Sequence, residues 1–320
     1  MARTVSIVGA GRVGRTLGRC LHRLGWGVES VISRSDAHAR AAVRWIGAGK
    51  PGALLARDIF TADLLLLATP DAALAQVAKR LAHVGRTRLR GKVVLHTSGA
   101  LDRGVLRPLA RCGAATGSLH PMQTFTGTDT PNLKGVIFAV EGQPRACRLA
   151  GRIARELGGK PVAIGGRKKA AYHAAGALVA GHALALVEGA TEILMRLGFT
   201  RGRAREALLP LMRQMLDNFE RVGPERAWTG PLSRGDYAII AAHARALKSY
   251  PREFSRAYAA LAYLSGRVLA ADSATTIALL RRALGPPSEQ PPFRSSDRGT
   301  ARVNRGTMRF ARPSPEKHKV

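Results

Sequence analysis

Thr4-Val5-Ser6-Ile7-Val8-Gly9-Ala10-Gly11-Arg12-Val13-Gly14 is the stretch whose reading decides the fold. Val5, Ile7 and Val8 read as a short buried strand, and glycines follow at G-x-G-x-x-G spacing. Gly9 allows the tight turn off the strand, Gly11 lets a pyrophosphate approach the backbone, and Gly14 lets the next helix pack against the strand. That helix, about residues 13–24, carries Val13, Leu17 and Leu21 at core spacing and aims its free N–H groups at the phosphates. Strand, turn and helix read together as a dinucleotide-binding unit, with Gly9, Gly11, Arg12, Val13 and Gly14 at the cofactor.

The second strand, about residues 27–32, ends in Ser33-Arg34-Ser35. An acidic side chain roughly 20 residues past the glycines holds the ribose 2′-hydroxyl of NAD, whereas an arginine accommodates a 2′-phosphate. Two hydroxyls around a cation favour NADP over NAD, and Asp36 then caps the next helix. Residues 62–68 form a continuous apolar run, as a parallel strand covered on both faces requires. It runs into Thr69 and Pro70. Loops at this end of such strands line the cofactor crevice, so both residues are expected near the nicotinamide half.

Further strands are expected at about 92–96, 135–140 and 161–164, with a short strand leading into 117–125 and a helix over 144–157. Gly165-Gly166 is a natural boundary, and only helices are expected beyond it. Residues 169–197 are Ala, Leu and Val almost throughout, apolar nearly all round, and predict a buried central helix. Shorter helices follow at about 203–222, 236–249, 252–270 and 274–284. The fold class is therefore α/β: a Rossmann-like domain with a mostly parallel sheet (1–166), then an all-helical domain (167–285). Residues 286–320, rich in Pro, Ser, Arg and Lys, read as a basic disordered tail.

At 320 residues the chain has room for two cores, and its 46% apolar content is ordinary for a globular protein. No stretch is read as a membrane span, and the chain enters a strand at once with no signal peptide. Cys20, Cys112 and Cys147 lie far apart, match no metal spacing and suit a reducing, cytoplasmic setting. The net charge of +30 raises the alternative of a nucleic-acid-associated protein. The basic residues are scattered through helices, however, with no RNA-binding motif, and an anionic cofactor and substrate account for part of the charge.

Four further motifs follow the glycine turn in order: His96-Thr97-Ser98-Gly99-Ala100, Gly117-Ser118-Leu119-His120-Pro121-Met122-Gln123, Lys169-Ala170-Ala171-Tyr172-His173-Ala174-Ala175, and Trp228-Thr229-Gly230-Pro231-Leu232-Ser233-Arg234-Gly235-Asp236 with His243. The overall plan resembles the 6-phosphogluconate-dehydrogenase-like superfamily. These motifs, spread over about residues 4–285, resemble the bacterial family that joins a Rossmann-like domain to a DUF2520 domain. The resemblance implies an NAD(P)-linked oxidoreductase and a homodimer formed through the helical domain. One departure is Gly181, where the family usually has Asn just before His182.

Reducing a C=O or C=N bond requires an acceptor held against the nicotinamide, a proton source and an anchor for the rest of the substrate. Lys169 and His173 are four apart and share a helix face. Related hydroxyacid dehydrogenases place a catalytic Lys and an Asn at this spacing. The resemblance thus implies Lys169 as proton donor and His173 as its partner or as substrate anchor, against a solvated Lys and a packing His. His120 is similarly placed to a substrate-side His of prephenate dehydrogenases. Ser98 and Gly99 stand where related reductases bind substrate or nicotinamide. Arg234 is either a carboxylate or phosphate anchor or the ion-pair partner of Asp236. The whole reads as an NADP-dependent oxidoreductase acting on a small, anionic carbonyl or imine compound, with no metal. The rival reading is a non-catalytic NADP-binding sensor.

Overall fold

The computed structural model describes residues 3–54 and 56–286. All but the first residue of the expected tail lies outside them. The described residues form two compact units that meet between Ala204 and Arg205.

The first unit is built on an 8-stranded sheet in the order β3-β2-β1-β4-β5-β6-β7-β8. Its strands are β1 (Thr4–Val8), β2 (Gly27–Ile32), β3 (Lys50–Gly52), β4 (Leu64–Leu67), β5 (Val93–His96), β6 (Ala115–Pro121), β7 (Ile137–Gly142) and β8 (Lys160–Ala163). The helices between them are α1 (Arg12–Arg23), α2 (Asp36–Ile46), α3 (Asp71–Gly85), α4 (Arg107–Arg111) and α5 (Pro144–Glu156). Strands β1 to β6 run parallel, and β7 pairs antiparallel to β6 and parallel to β8. The first six strands have the order of a doubly wound dinucleotide fold. The reversal at β7 and the short edge strand β3 add to the arrangement read from the sequence.

Alternation within the apolar strands divides the core in two. Val5, Ile7, Leu64, Leu66 and Leu95 pack with Leu17 and Leu21 of α1 on one face. Val8, Leu65, Leu67 and Val94 pack with Leu74, Ala78 and Leu81 of α3 on the other. Both faces are covered by helices, which is why β4 is four consecutive buried leucines.

The segment after β8 is helical from end to end: α6 (Lys169–Ala177), a π-helical turn at Leu178–His182 and α7 (Ala183–Arg196). It is not the buried helix that its composition predicts. Leu178, Val179 and Leu184 are 57%, 77% and 67% exposed, and only Lys169 and Thr191 of α6 and α7 are buried. Among the described residues of this unit, none buries Leu178, Val179 or Leu184. Residues 170–187 carry no Asp, Glu, Lys or Arg. Contrary to the composition reading, Gly166–Arg196 is long and apolar enough to cross a membrane by length and composition. Its first turn is nonetheless tied to the sheet through the Lys169 side chain.

The second unit is helical, with most of α8 (Arg201–Ala227) and all of α9 (Tyr237–Ala246), α10 (Arg252–Val268) and α11 (Ser273–Leu284). Ile240, Ala262, Tyr263 and Leu280 form its small core. Gly223, at φ +76°, breaks α8 ahead of Pro224.

The three glycines of the turn differ in what they do for the fold. Gly9 has φ +102°, and a Cβ there would lie 2.5 Å from the Ala68 carbonyl carbon. A Cβ on Gly14 would collide with the Gly9 carbonyl oxygen, whereas one on Gly11 would meet nothing within 4 Å. Gly14→Ala is therefore expected to cost about 2–4 kcal/mol of stability and Gly11→Ala less than about 1 kcal/mol, measured by urea unfolding. Equal losses would contradict this division of roles.

Candidate functional site

A cleft of about 1100 Å³ lies along the C-terminal ends of β1, β2, β4, β5 and β6. Strand order reverses between β1 and β4, so this is the switch point at which open α/β sheets bind ligands. Ser33 and Arg34 line one end, with Gln76 and Arg80 of α3. Gly9, Gly11, Arg12 and Val13 line the middle. Thr69, Pro70, Ser98, Gly99, His120 and His173 line the far half. Among the described lining residues Asp71 is the one carboxylate, against Arg12, Arg34 and Arg80.

The middle of the cleft suits a pyrophosphate. The first backbone bond of α1 runs from the Arg15 N–H to the Gly11 carbonyl, so the helix presents its leading N–H groups there with no side-chain cap. The space beside Gly11 is open. Thr69 Oγ1 is buried without a protein partner. These features fit a dinucleotide. Gly14 acts through packing and does not line the cleft.

At the end of β2 the assignments shift by one residue. Ser35 is the N-cap of α2: its hydroxyl accepts from the His38 N–H at 3.3 Å, and it does not line the cleft. Asp36, read as the cap, is instead the first helical residue and pairs with Arg40 at 2.5 Å. Ser33 and Arg34 remain at the cleft.

In the far half, Ser98 closes the turn after β5. Its hydroxyl donates to Asp71 Oδ2 at 2.9 Å and accepts from the N–H groups of Ala100 and Leu101. The His96 ring is buried, and its Nδ1 accepts from the Ser98 N–H at 3.2 Å. Burial, then the Lys169 charge, lowers its pKa to about 3. His96 is part of the frame.

His120, at the end of β6, meets two residues of α6. Its Nδ1 lies 3.2 Å from the Tyr172 hydroxyl, and its ring stands edge-on to His173 at 5.6 Å between centroids. Burial, then the His173 and Lys169 charges, lowers the His120 pKa to about 4, so the ring is neutral at pH 7. Gly99 makes room for both rings. A Cβ there would lie 2.7 Å from His120 Nε2 and would overlap the His173 ring.

Lys169 does not reach the cleft. It has no exposed surface, and its Nζ donates to the Ser98 carbonyl at 2.9 Å and to Ser118 Oγ at 2.7 Å. Burial lowers its pKa to about 8, with Glu141, Asp102 and Asp71 acting the other way. Lys169, a proton donor by the resemblance, is here a buried prop joining α6 to the β5 turn and to β6. Arg234, in the second unit, bonds Asp236 through Nε at 3.1 Å, so part of its fork is engaged. Among the described residues no three His, Cys, Asp or Glu side chains gather as a metal site.

The Rossmann-like family model matches residues 2–121, and that of DUF2520, a domain of unknown function, matches 136–264. The chain belongs to the Rossmann-like and DUF2520 domain proteins. No curated protein matches it. Among solved structures it is similar to a Bacteroides fragilis protein provisionally named an NADP oxidoreductase, at 22% identity and TM-score 0.69, covering 81% of this chain and 96% of that one. A Thermotoga maritima protein shares 25% identity at TM-score 0.61, covering 88% and 98%. An imine reductase from Pseudomonas sp. shares 21% identity at TM-score 0.61, covering 89% and 100%.

In this DUF2520 protein the sequence reading missed Tyr172, although it stands three residues from Lys169 on the same face of α6. It also missed Gln76 and Arg80, four apart on α3 and recoverable from helical spacing. Ser118 and Asp71 carried no such signal, because only the folded chain shows what their side chains meet.

The buried lysine makes a pH prediction. In the unfolded chain Lys169 keeps its proton to about pH 10.5, and in the folded chain only to about pH 8. Between these values the unfolded state binds more protons, so stability should rise with pH by up to about 1.4 kcal/mol per unit. Lys169→Met lacks the titration. Urea unfolding of both proteins from pH 7 to 10 should show wild type gaining on the variant above pH 8, and a constant difference would contradict the burial of the charge.

Proposed function

We propose that this protein is an NADP-dependent oxidoreductase acting on a small carbonyl or imine compound. The observation that carries the reading is the continuity of one cleft, from Arg34 past the bare helix end at Gly11 to the paired rings of His120 and His173. The names of the Bacteroides fragilis protein and of the imine reductase support it at the level of fold.

When bound, the cofactor supplies or accepts a hydride. The chain's own residues do the rest. The N–H groups at the start of α1, with Arg12, would hold the pyrophosphate, and Ser33 with Arg34 would hold the 2′-phosphate. Thr69, Pro70 and Ser98 would line the nicotinamide half. His120, neutral and hydrogen-bonded, gives or takes the proton at the reacting oxygen or nitrogen, and His173 anchors the substrate beside it. Lys169 acts from beneath by fixing the Ser98 turn. An anionic substrate was expected on the strength of Arg234, and its bond to Asp236 weakens that expectation.

A cytoplasmic setting accompanies this reading, since Cys20, Cys112 and Cys147 are all unpaired. So does a homodimer, in which a second copy covers the exposed Leu178, Val179, Leu184 and Leu186.

NADPH at saturating concentration should raise the melting temperature, because a ligand held by the native state alone stabilises it. Arg34→Ala should weaken NADPH binding by about tenfold to a hundredfold, the worth of one charge-assisted phosphate contact, and leave NADH binding nearly unchanged. Failure of both nucleotides to shift the wild-type melting temperature would overturn the function.

A further inference from the structure

The Tyr172 hydroxyl lies 3.2 Å from Nδ1 of His120, and its ring stands edge-on to the imidazole at 5.5 Å. The opposite nitrogen, Nε2, lies over Gly99 and beside His173, both of which line the cleft. A neutral imidazole carries one proton, and the partner of one nitrogen decides which nitrogen holds it. An acceptor at Nδ1 would draw the proton away from the cleft, whereas a donor there leaves it on Nε2.

We propose that Tyr172 is a positioning residue: its hydroxyl donates to Nδ1 of His120, keeps the ring's single proton on Nε2, and turns that N–H toward the substrate atom above Gly99. The inference deepens the oxidoreductase reading and rests on it for the identity of that atom. In carbonyl reduction a hydride from NADPH, which leaves as NADP+, forms the new C–H bond. The π pair of the C=O bond moves onto oxygen, which takes the proton from Nε2. Nδ1 in turn takes the Tyr172 hydroxyl proton, and the phenolate is reprotonated by water.

The interaction exists in the free protein, so it can be tested without cofactor. Two-bond ¹⁵N–¹H spectra of the histidine rings, with His120→Asn to assign the signals, should show His120 protonated on Nε2 in wild type. In Tyr172→Phe, which keeps the ring and removes the hydroxyl, the signal should become a mixture of the two tautomers. With a substrate in hand, kcat should fall about tenfold to a hundredfold while the KM for NADPH and the melting temperature hold. A wild-type ring protonated on Nδ1, or a tautomer unchanged by Tyr172→Phe, would overturn the proposal. Loss of NADPH binding by wild type would instead overturn the oxidoreductase reading and leave the ring measurement standing.

Discussion

The far half of the cleft depends on one buried cation. Lys169 Nζ donates to a main-chain carbonyl on the β5 turn and to the hydroxyl of Ser118 on β6. It thereby fixes the first turn of α6 against the ends of two strands. Removing an ammonium from water costs several kcal/mol, and two good hydrogen bonds return only part of this. Glu141, Asp102 and Asp71 add favourable charge around it. What the lysine provides is placement. With Lys169 fixed, Tyr172 and His173, one turn on, come to rest against His120 and Gly99.

The two halves of the cleft are built by different means. The phosphate side is backbone: a glycine held at φ +102° by the neighbouring strand end, an open position at Gly11 and the N-terminus of α1. Backbone donors are the same for any bound dinucleotide, so this half fixes a ligand class. The other side is a set of residues drawn from the start of α3, the turn after β5, β6 and α6. Each is packed or hydrogen-bonded to the next, from Asp71 through Ser98 and Lys169 to Ser118. A change to any of them is felt by the others, and in the proposed function that is the half that meets the substrate.

This contrast explains how much could be read from the sequence. The glycine spacing and the leucine run of β4 are local signals with a single structural solution, a strand-turn-helix and a strand covered on both faces. The direction of β7 is not local, because it is set by its pairing with β6. At Ser35-Asp36 both residues are good caps, and only the hydrogen bond from His38 distinguishes them. For α6 and α7, an apolar composition all round says that water is to be excluded but not by what, and Leu178 and Val179 are exposed among the described residues. That Lys169 shares a helix face with His173 was legible from their spacing. Its direction was not, because burial reverses what a lysine at a helix start ordinarily does.

Burial also links the charges in the site. Desolvation is the first cause of the lowered pKa of both His96 and His120; the same Lys169 ammonium that holds α6 in place adds to it, after the His173 charge in the case of His120. Adding a proton to either ring would place a second cation near the first in a poorly screened region. Both rings therefore stay neutral across the physiological range, one as an acceptor for the Ser98 N–H and the other with one proton to give. A neutral imidazole can pass that proton on and recover it without carrying a net charge in the cleft, whereas an exposed lysine at the same place would bring a permanent cation. Burying the lysine and leaving the histidine at the surface of the cleft separates the group that organises the site from the group to which the proposed function gives its proton chemistry.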